Sequence, residues 1–405
     1  MRWDVAPRVK PIGISFLAIL LVTGSFGRAP AEDRIRIERV ALPTNDGATS
    51  AVRVINAPLV HTTQLLPDVG TPAGSQSDDV LAELDHLLTE HQSKRSDVVK
   101  LNLYVRDSLV REAFLKKLSV WTKGKLPAVA CVATRLPMPK AEIALDAVFI
   151  SRRSKATSGP PRNFVQERKN GERWAKASLL PLGDVVYVSG QAQPGELAVA
   201  TQATLVELQK TLKHLGLDKR HIIQVKCFLN PMDRADVVNR QIAEFFGENI
   251  IPPVSLVEWN SGSLPIEIEL IAWAPPEKST NRVTYITPPW MKSSPVFSRV
   301  ARLHGNDRIY ISGLYSTTAG DGEHEVQPTF EELQSILEKT QSDMRHLVKA
   351  TYYVSNDDAS SQLNRLRPKF YDPKRPPAAS KAVVNDVGIS NRHLTIDMIA
   401  VPIMR

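Results

Sequence analysis

The chain has 405 residues and a formal net charge of +8, from 51 basic and 43 acidic side chains. The basic residues are dispersed, with no run of five or more Lys and Arg, which argues against a groove for nucleic acid. The nine histidines and two cysteines show no metal-ligand spacing, and phosphate-binding glycine loops and GxSxG motifs are missing. We therefore expect no metal and no cofactor.

The first 31 residues predict a signal peptide. Arg2, Arg8 and Lys10 precede an apolar run from Ile12 to Phe26, and the small residues at 29–31 suit a signal peptidase. That run is short for a membrane span, although retention as an anchor stays open. We expect export to the periplasm or the cell exterior, with no stable membrane association after cleavage.

A long pattern then occurs three times. Its clearest markers are VVKLNLYVRD, IIQVKCFLNP and LVKATYYVSN, which begin at Val98, Ile222 and Leu347, with offsets of 124 and 125 residues. Each copy closes on an acidic strand, with the sequence IALDAVFI, IEIELIAW or LTIDMIAV. Such a period indicates one domain per repeat, because units of about 20 to 50 residues cannot bury a core alone. We divide the chain into copy 1 (32–155), copy 2 (156–280) and copy 3 (281–405).

Copy 2 has the clearest pattern of secondary structure. Its predicted elements are a strand over 184–189, a leucine-spaced helix before Gly216, a strand over 222–229, a helix over 235–246, and strands over 254–259 and 266–273. They predict an α+β domain with both helices on one face of a mixed sheet. In the last strand Glu267, Glu269, Ile271 and Trp273 share the other face, which we expect to form an interface.

The succession of VSGQ, a helix, a VxxxxFL strand, a second helix, a Pro-Pro-x-Ser-x-Val-Glu strand and a terminal IEIELIA strand resembles the RidA family. This family is also called YjgF-type or endoribonuclease L-PSP-like, and it includes reactive-intermediate deaminases. The match is strong in copy 2, good in copy 3, and weak but in register in copy 1. The resemblance implies a chorismate-mutase-like fold and trimers with inward-facing sheets and ligand clefts between subunits. Three fused copies are therefore expected to form an intramolecular pseudo-trimer that is a monomer in solution.

The resemblance also implies site residues. The position of the family's carboxylate-binding Arg holds Val129, Val254 and Ala379. The usual anchor is thus missing from all copies. A Glu that positions or activates the attacking water corresponds to Glu267 in copy 2, but to Ala144 in copy 1 and Thr395 in copy 3. Glu267 is therefore the predicted catalytic residue; the alternative is an interface carboxylate held by a cation of the next copy.

Ligand-binding residues are implied around the SGQ turn, at an upstream aromatic position and at a carboxylate. They are Ser189, Gly190, Gln191, Trp174, Glu258, Ser312 and Gly313. Phe297 is the corresponding aromatic residue of copy 3, and Lys381 lies near the cleft by analogy. One position is acidic in all three copies, as Asp146, Glu269 and Asp397, and we interpret it as a packing position.

Three functions stay open at this point. The first is a hydrolytic deaminase for a small imine, enamine or related metabolite, and the second is a non-catalytic pseudoenzyme that binds a small ligand. RNA cleavage is disfavoured, because no basic and aromatic stripe is present. The missing Arg predicts weak binding of amino-acid-derived imines, by about 2 to 5 kcal/mol. Cys131 and Cys227 either pair or stay buried as thiols.

Overall fold

The computed structural model describes residues 35–42, 49–153, 159–167, 171–260 and 262–403, together with Met1. Apart from Met1, the predicted signal peptide lies outside the described residues. The α-helices are α1 (Gln76–Glu90), α2 (Ser108–Trp121), α3 (Leu197–His214), α4 (Ala235–Phe246), α5 (Gly322–Lys339) and α6 (Asp357–Leu366). Within the described part, no helix is long and apolar enough to span a membrane.

The strands of the first two copies are β1 (Arg36–Val40), β2 (Ala51–Ile55), β3 (Leu59–Thr62), β4 (Val98–Val105), β5 (Ala128–Ala133), β6 (Ile143–Ile150), β7 (Arg162–Glu167), β8 (Arg173–Leu180), β9 (Asp184–Gln191), β10 (Ile222–Leu229), β11 (Val254–Glu258) and β12 (Ile266–Ala274). Those of copy 3 are β13 (Val283–Ile286), β14 (Val300–Leu303), β15 (Arg308–Ile311), β16 (Leu347–Val354), β17 (Ala378–Val383) and β18 (Leu394–Ala400).

These strands form three sheets of six strands within the described residues. The first sheet has the order β5-β4-β6-β3-β8-β7, the second β11-β10-β12-β9-β14-β13, and the third β17-β16-β18-β15-β2-β1. Each sheet is mixed, because its first two strands are parallel and its other pairs antiparallel. Helices α1 and α2 share a core with the first sheet, α3 and α4 with the second, and α5 and α6 with the third. The predicted α+β class with three tandem domains is confirmed.

The elements of copy 2 follow the sequence pattern closely. Strand β10 and helix α4 have the predicted bounds, whereas β11 ends one residue early and β12 one residue late. Helix α3 ends at His214, and Gly216 follows with φ of +72°. Glycine adopts this left-handed conformation without the steric cost that a β-carbon imposes, so it ends the helix.

Each sheet takes its two outer strands from the next copy. The hairpin β7–β8 of copy 2 pairs with β3 of copy 1, and β13–β14 of copy 3 pairs with β9 of copy 2. Hairpin β1–β2 of copy 1 closes the ring by pairing with β15 of copy 3. A short crossover loop connects each hairpin to the following strand, which lies in a different sheet. The three crossover loops are residues 56–58, 181–183 and 304–307. The sheets therefore do not coincide with the three copies of the sequence.

These three crossover loops contact one another. The backbone N–H of Gly183 donates to Oδ1 of Asn306 at 2.9 Å, and Nδ2 of Asn306 donates to Oδ1 of Asn56 at 3.4 Å. Gly183 has φ of +149°, and a β-carbon there would lie 3.0 Å from the carbonyl oxygen of Ala274. One hydrogen-bonded cluster thus joins all three crossovers.

The inner faces of the sheets pack on one another, as the pattern of the last strand predicts. Ile271 and Trp273 are buried in a cluster that also contains Tyr310 of the third sheet and Val148 and Ile150 of the first. An apolar face that would be unstable in water is thereby covered by its counterparts.

A closed cycle of polar contacts links the three sheets at this interface. Asp146 accepts from Ser255 Oγ at 2.7 Å, Glu269 pairs with Lys349 Nζ at 2.8 Å, and Asp397 pairs with Lys100 Nζ at 2.6 Å. Each carboxylate contacts the neighbouring sheet, and each is buried. These contacts agree with the packing role inferred for this position, because buried carboxylates require partners of this kind.

Candidate functional site

Neighbouring sheets meet at three equivalent junctions in the described structure, and two of these junctions contain an open cleft. The junction of the second and third sheets forms a cleft of about 420 Å³, which we call the Glu267 cleft. It is lined by Gly190, Gln191, Ala192, Gln193, Glu267, Met291, Phe297, Arg299, Arg367, Ala379, Ser380 and Lys381. Its volume lies in the range of small-molecule sites.

Glu267 lies over Gly190 in this cleft. A β-carbon at Gly190 would overlap the carboxyl group of Glu267 and would lie 2.7 Å from its Cγ, so the absence of a side chain makes room for the carboxyl. The N–H of Gly190 donates to Oγ of Ser380 at 3.1 Å, and this hydroxyl donates to Glu269 at 2.7 Å. The third sheet therefore supplies one wall of a site whose carboxyl belongs to the second.

Burial raises the pKa of Glu267 to about 7. A hydrogen bond with Ser380 opposes this shift, and the charge of Glu269 adds to it. A carboxyl with a pKa near neutrality can accept and return a proton with similar ease, which suits a general acid and base.

Three cationic side chains complete the walls. Arg299 precedes β14, Arg367 follows α6, and Lys381 lies on β17. Burial lowers the pKa of both Arg299 and Lys381, and Arg367 further lowers that of Lys381. Phe297 packs against Arg299, whose guanidinium carbon lies 4.7 Å from the ring centroid. The cleft thus contains Arg299 and Arg367 in addition to Lys381, although the position of the family's Arg holds Ala379.

A second open cleft lies between the third and first sheets, with a volume of about 410 Å³. We call it the Thr395 cleft, because Thr395 occupies the position equivalent to Glu267. Val129, Cys131, Ser312 and Gly313 line it as well. It therefore keeps the shape of the site without an acidic residue at the position of Glu267.

The junction of the first and second sheets is closed by a side chain. Nε2 of Gln64 donates to the carbonyl oxygen of Leu256 at 3.0 Å, and Oε1 accepts from the N–H of Leu256 at 3.2 Å. Thr63 Oγ1 also donates to Val254 at 3.0 Å. Ala144 stands where the second sheet has Glu267. We call this region the Gln64 junction.

The predicted ligand-binding residues are distributed over several places. Gly190 and Gln191 line the Glu267 cleft, and Ser312 and Gly313 line the Thr395 cleft. Oγ of Ser312 donates to the carbonyl oxygen of Thr49 at 2.6 Å. Ser189 precedes Gly190 on β9, but its side chain is buried and does not line the Glu267 cleft. The structure thus brings together only part of the predicted set.

Trp174 and Glu258 lie outside both open clefts. Trp174 is on hairpin β7–β8, which joins the first sheet, and its Nε1 donates to Glu172 at 2.7 Å. Glu258 accepts from the N–H of Met232 at 3.0 Å and lies 3.7 Å from Arg135. Because the hairpins are exchanged, the aromatic residue beside Gly190 comes from copy 3 and is Phe297.

Sequence comparison missed Arg299 and Arg367. Arg299 follows Phe297 by two residues, and side chains at this spacing share a face in an extended chain, so this alternation could have revealed it. Arg367 has no such signal, because its place depends on how α6 ends and packs. Cys131 and Cys227 are buried free thiols in different sheets, and the described residues contain no cluster of three or more potential metal ligands.

Part of the chain matches a known protein family. Residues 172–274 and 291–402, together more than half of the chain, match the family described as endoribonuclease L-PSP. Comparison with curated proteins gave no match.

Among solved structures, NMB1025 of Neisseria meningitidis, a YjgF-family member, is 27% identical, with 30% of this chain and 99% of that one covered and a TM-score of 0.23. YyfB of Yersinia pestis, from the conserved Rid family, is 18% identical over 30% and 99%, with a TM-score of 0.28. TdcF of E. coli, solved with bound serine, is 23% identical over 23% and 82%, with a TM-score of 0.22. On the family match, this chain belongs to the endoribonuclease L-PSP family, the RidA or YjgF family that its motifs resemble.

Proposed function

We propose that the protein is a hydrolytic deaminase of a small imine or enamine, and that it works in the Glu267 cleft. The observation that carries the proposal is the carboxyl of Glu267, with a pKa raised to about 7, in a cleft of about 420 Å³. The family description names an endoribonuclease, but a cleft of this volume favours a small molecule over an RNA strand.

In the proposed reaction, a water molecule attacks the imine carbon while Glu267 accepts one of its protons. The C–O bond forms, and the electron pair of the C=N bond moves to nitrogen. Glu267 then returns its proton to nitrogen, which gives a carbinolamine. In a second round the same carboxyl accepts the hydroxyl proton and donates it to nitrogen, so that the C=O bond forms as the C–N bond breaks and ammonia leaves. An imine and one water thus give a carbonyl compound and ammonia, and a single carboxyl serves both rounds of proton transfer. An enamine enters the same sequence after protonation at carbon.

The test uses imino acids generated in the assay by an amino-acid oxidase, with ammonia release as the measurement. Glu267→Gln should lower the rate at least about 100-fold, because it removes the proton acceptor. Its melting temperature should not fall. Thr395→Val is the matched control, because it changes the equivalent position of the other open cleft and removes a hydroxyl that has no hydrogen-bond partner in the described structure. Full activity of Glu267→Gln would contradict the proposal.

A non-catalytic ligand-binding protein is the second candidate. Two observations favour this candidate. The position of Glu267 holds Thr395 in copy 3 and Ala144 in copy 1, so two of the three junctions have no acidic residue at that position. The side chain of Gln64 also closes one of these two junctions. Binding of substrate analogues to the wild-type protein, with no turnover of any generated imine, would favour this candidate over the deaminase.

We also propose that the protein is exported through residues 1–31. The basic, apolar and small-residue segments at the N-terminus support this proposal. Sequencing of the N-terminus of protein from envelope and extracellular fractions should give Glu32 as the first residue. A mature chain that still begins at Met1 in the cytoplasmic fraction would contradict it.

A further inference from the structure

The Glu267 cleft has an excess of positive charge that the protein does not balance. Arg299, Arg367 and Lys381 all line it, and none of the three forms an ion pair with an acidic side chain in the described part of the chain. With Glu267 neutral the four groups sum to three positive charges, and with Glu267 ionised to two. Unbalanced cations in a partly buried cleft attract anionic ligands.

Two of the cations lie close together in copy 3, because Nζ of Lys381 and Nη2 of Arg367 both donate to Oδ1 of Asn364, at 3.5 and 3.3 Å. Nζ of Lys381 donates to Oγ of Ser360 at 3.0 Å, and the guanidinium of Arg367 lies over the ring of Tyr352, 5.4 Å from its centroid. Burial lowers the pKa of Lys381, and the charge of Arg367 lowers it further. Nε of Arg367 is buried without a hydrogen-bond partner in the described structure. The hydrogen-bond acceptors of this pair, Ser360 and Asn364, are neutral, so its two positive charges have no anionic partner in the described structure.

Arg299 lies on a different wall. It precedes β14, which belongs to the second sheet, whereas Arg367 and Lys381 belong to elements of the third. Its Nε donates to the carbonyl oxygen of Lys292 at 3.0 Å, which holds the guanidinium against Phe297. A guanidinium fixed in this way presents its remaining N–H groups to a carboxylate in a fork.

We propose that the substrate of the Glu267 cleft carries two carboxylates, one bound by the Arg367–Lys381 pair and the other by Arg299. The cations stand on two walls rather than in one cluster, which fits two separated anionic groups better than a single phosphate. The substrate class is thus a dicarboxylic imino acid. The inference rests on the proposed deaminase function for the reacting end of the molecule, but the requirement for two charges can be measured apart from turnover.

The test compares succinate with butyrate, which has the same number of carbons and one carboxylate fewer. Both are titrated into the full-length wild-type protein in a calorimeter at low ionic strength. Succinate should bind at least about tenfold more tightly, because it adds one charge-assisted contact. Arg299→Gln and Arg367→Gln should each remove this preference. Arg240→Gln is the matched control, because the exposed side chain of Arg240 pairs with Asp236 on helix α4 and does not line the cleft. This variant should prefer succinate over butyrate as the wild-type protein does.

Equal affinities for succinate and butyrate in the wild-type protein would overturn the inference, and so would tighter binding of inorganic phosphate than of succinate. The result is separable from the proposed function. Glu267→Gln should still prefer succinate, even though it no longer catalyses hydrolysis. If the protein prefers succinate but deaminates no imine, the inference of a dicarboxylic ligand holds and the proposed deaminase function fails. If it deaminates monocarboxylic imines and shows no preference for succinate, the deaminase function holds and the inference fails.

Discussion

The replacement of Gly190 by alanine tests whether the position of the Glu267 carboxyl matters. A β-carbon at Gly190 would overlap that carboxyl and lie 2.7 Å from Cγ of Glu267, whereas carbon atoms pack favourably at about 3.5 to 4.0 Å. Cγ must therefore move by about 1 Å, and the carboxyl must move with it. The backbone at Gly190 has no left-handed φ, so alanine adds no strain of its own there.

A displacement of about 1 Å in a catalytic group lowers the rate by about 100-fold. We expect a loss of this size in ammonia release from Gly190→Ala. Stability should change by no more than about 1 kcal/mol, because the end of the Glu267 side chain can swing into the open cleft. A large loss of rate with a small change in the free energy of unfolding would indicate that the carboxyl is displaced and that the fold is intact.

Gly313→Ala provides the matched control. Gly313 lies at the equivalent turn of the Thr395 cleft, where a β-carbon would lie 3.1 Å from Cα of Ala130 and 3.3 Å from Oγ1 of Thr395. These neighbours need to shift by only a few tenths of an ångström, and no acidic residue occupies the position of Glu267 there. The control should keep its turnover. The reasoning is refuted if Gly190→Ala keeps full activity, or if Gly313→Ala loses as much as Gly190→Ala.

Three further predictions concern charge and assembly. The pKa of Glu267 is raised from 4.5 to about 7 in the folded chain, so the ionisation of Glu267 opposes folding. This cost in stability is absent below pH 4.5, grows between pH 4.5 and 7, and stays constant above pH 7. Urea denaturation should therefore find Glu267→Gln more stable than the wild type by about 2 kcal/mol at pH 8 and equal to it at pH 4.5; equality at both pH values would contradict the raised pKa. Lys100→Met leaves Asp397 buried without its 2.6 Å partner and should cost about 3 to 5 kcal/mol, while Lys117→Met, an exposed pair, should cost less than about 1 kcal/mol by the same measurement. Light scattering at micromolar concentration should give the mass of one chain, because the three sheets already close on each other; a stable trimer would disprove this.

The domain architecture could be predicted from the sequence because it depends on periodicity and on strong local signals. Strand β10 and helix α4 of copy 2 lie where alternation and helical spacing place them. The burial of Ile271 and Trp273 also follows from one strand, since an apolar face without a helix needs another sheet. Glu267 was identified by its position in a family motif, and the structure places it in an open cleft.

The partners of each hairpin could not be predicted in the same way. Strand β8 has the same local pattern whether it pairs with β9 or with β3, because alternation specifies which side chains face inward and not which neighbour lies alongside. Trp174 was assigned by its position upstream of the SGQ turn, and that position does not reveal that its hairpin joins the first sheet. The same limit applies to Arg367, whose contribution depends on the packing of two copies and not on any motif.

Closure of the Gln64 junction is a third feature that local pattern does not reveal. Gln64 stands at the position of Gly190 and Gly313, because the residues that follow all three pair with equivalent residues of the last strand of each copy. Glutamine side chains are mostly exposed to solvent. Here the side-chain amide of Gln64 donates one hydrogen bond to the backbone of Leu256 and accepts another from it, as a neighbouring strand would. A side chain that copies the hydrogen bonds of a strand seals this junction, which leaves two of the three for ligands.

The exchange of hairpins determines where the polypeptide can be divided. A fragment cut at the sequence repeats, such as 32–155, would carry hairpin β1–β2 with no strand to pair with and would lack β7 and β8. A fragment over 59–180 instead contains all six strands of one sheet in continuous sequence, and 184–303 does the same for the next. Only the third sheet needs both ends of the chain. The first and last described strands, β1 and β18, thereby lie in one sheet, so that strand pairing joins the two ends of the described chain.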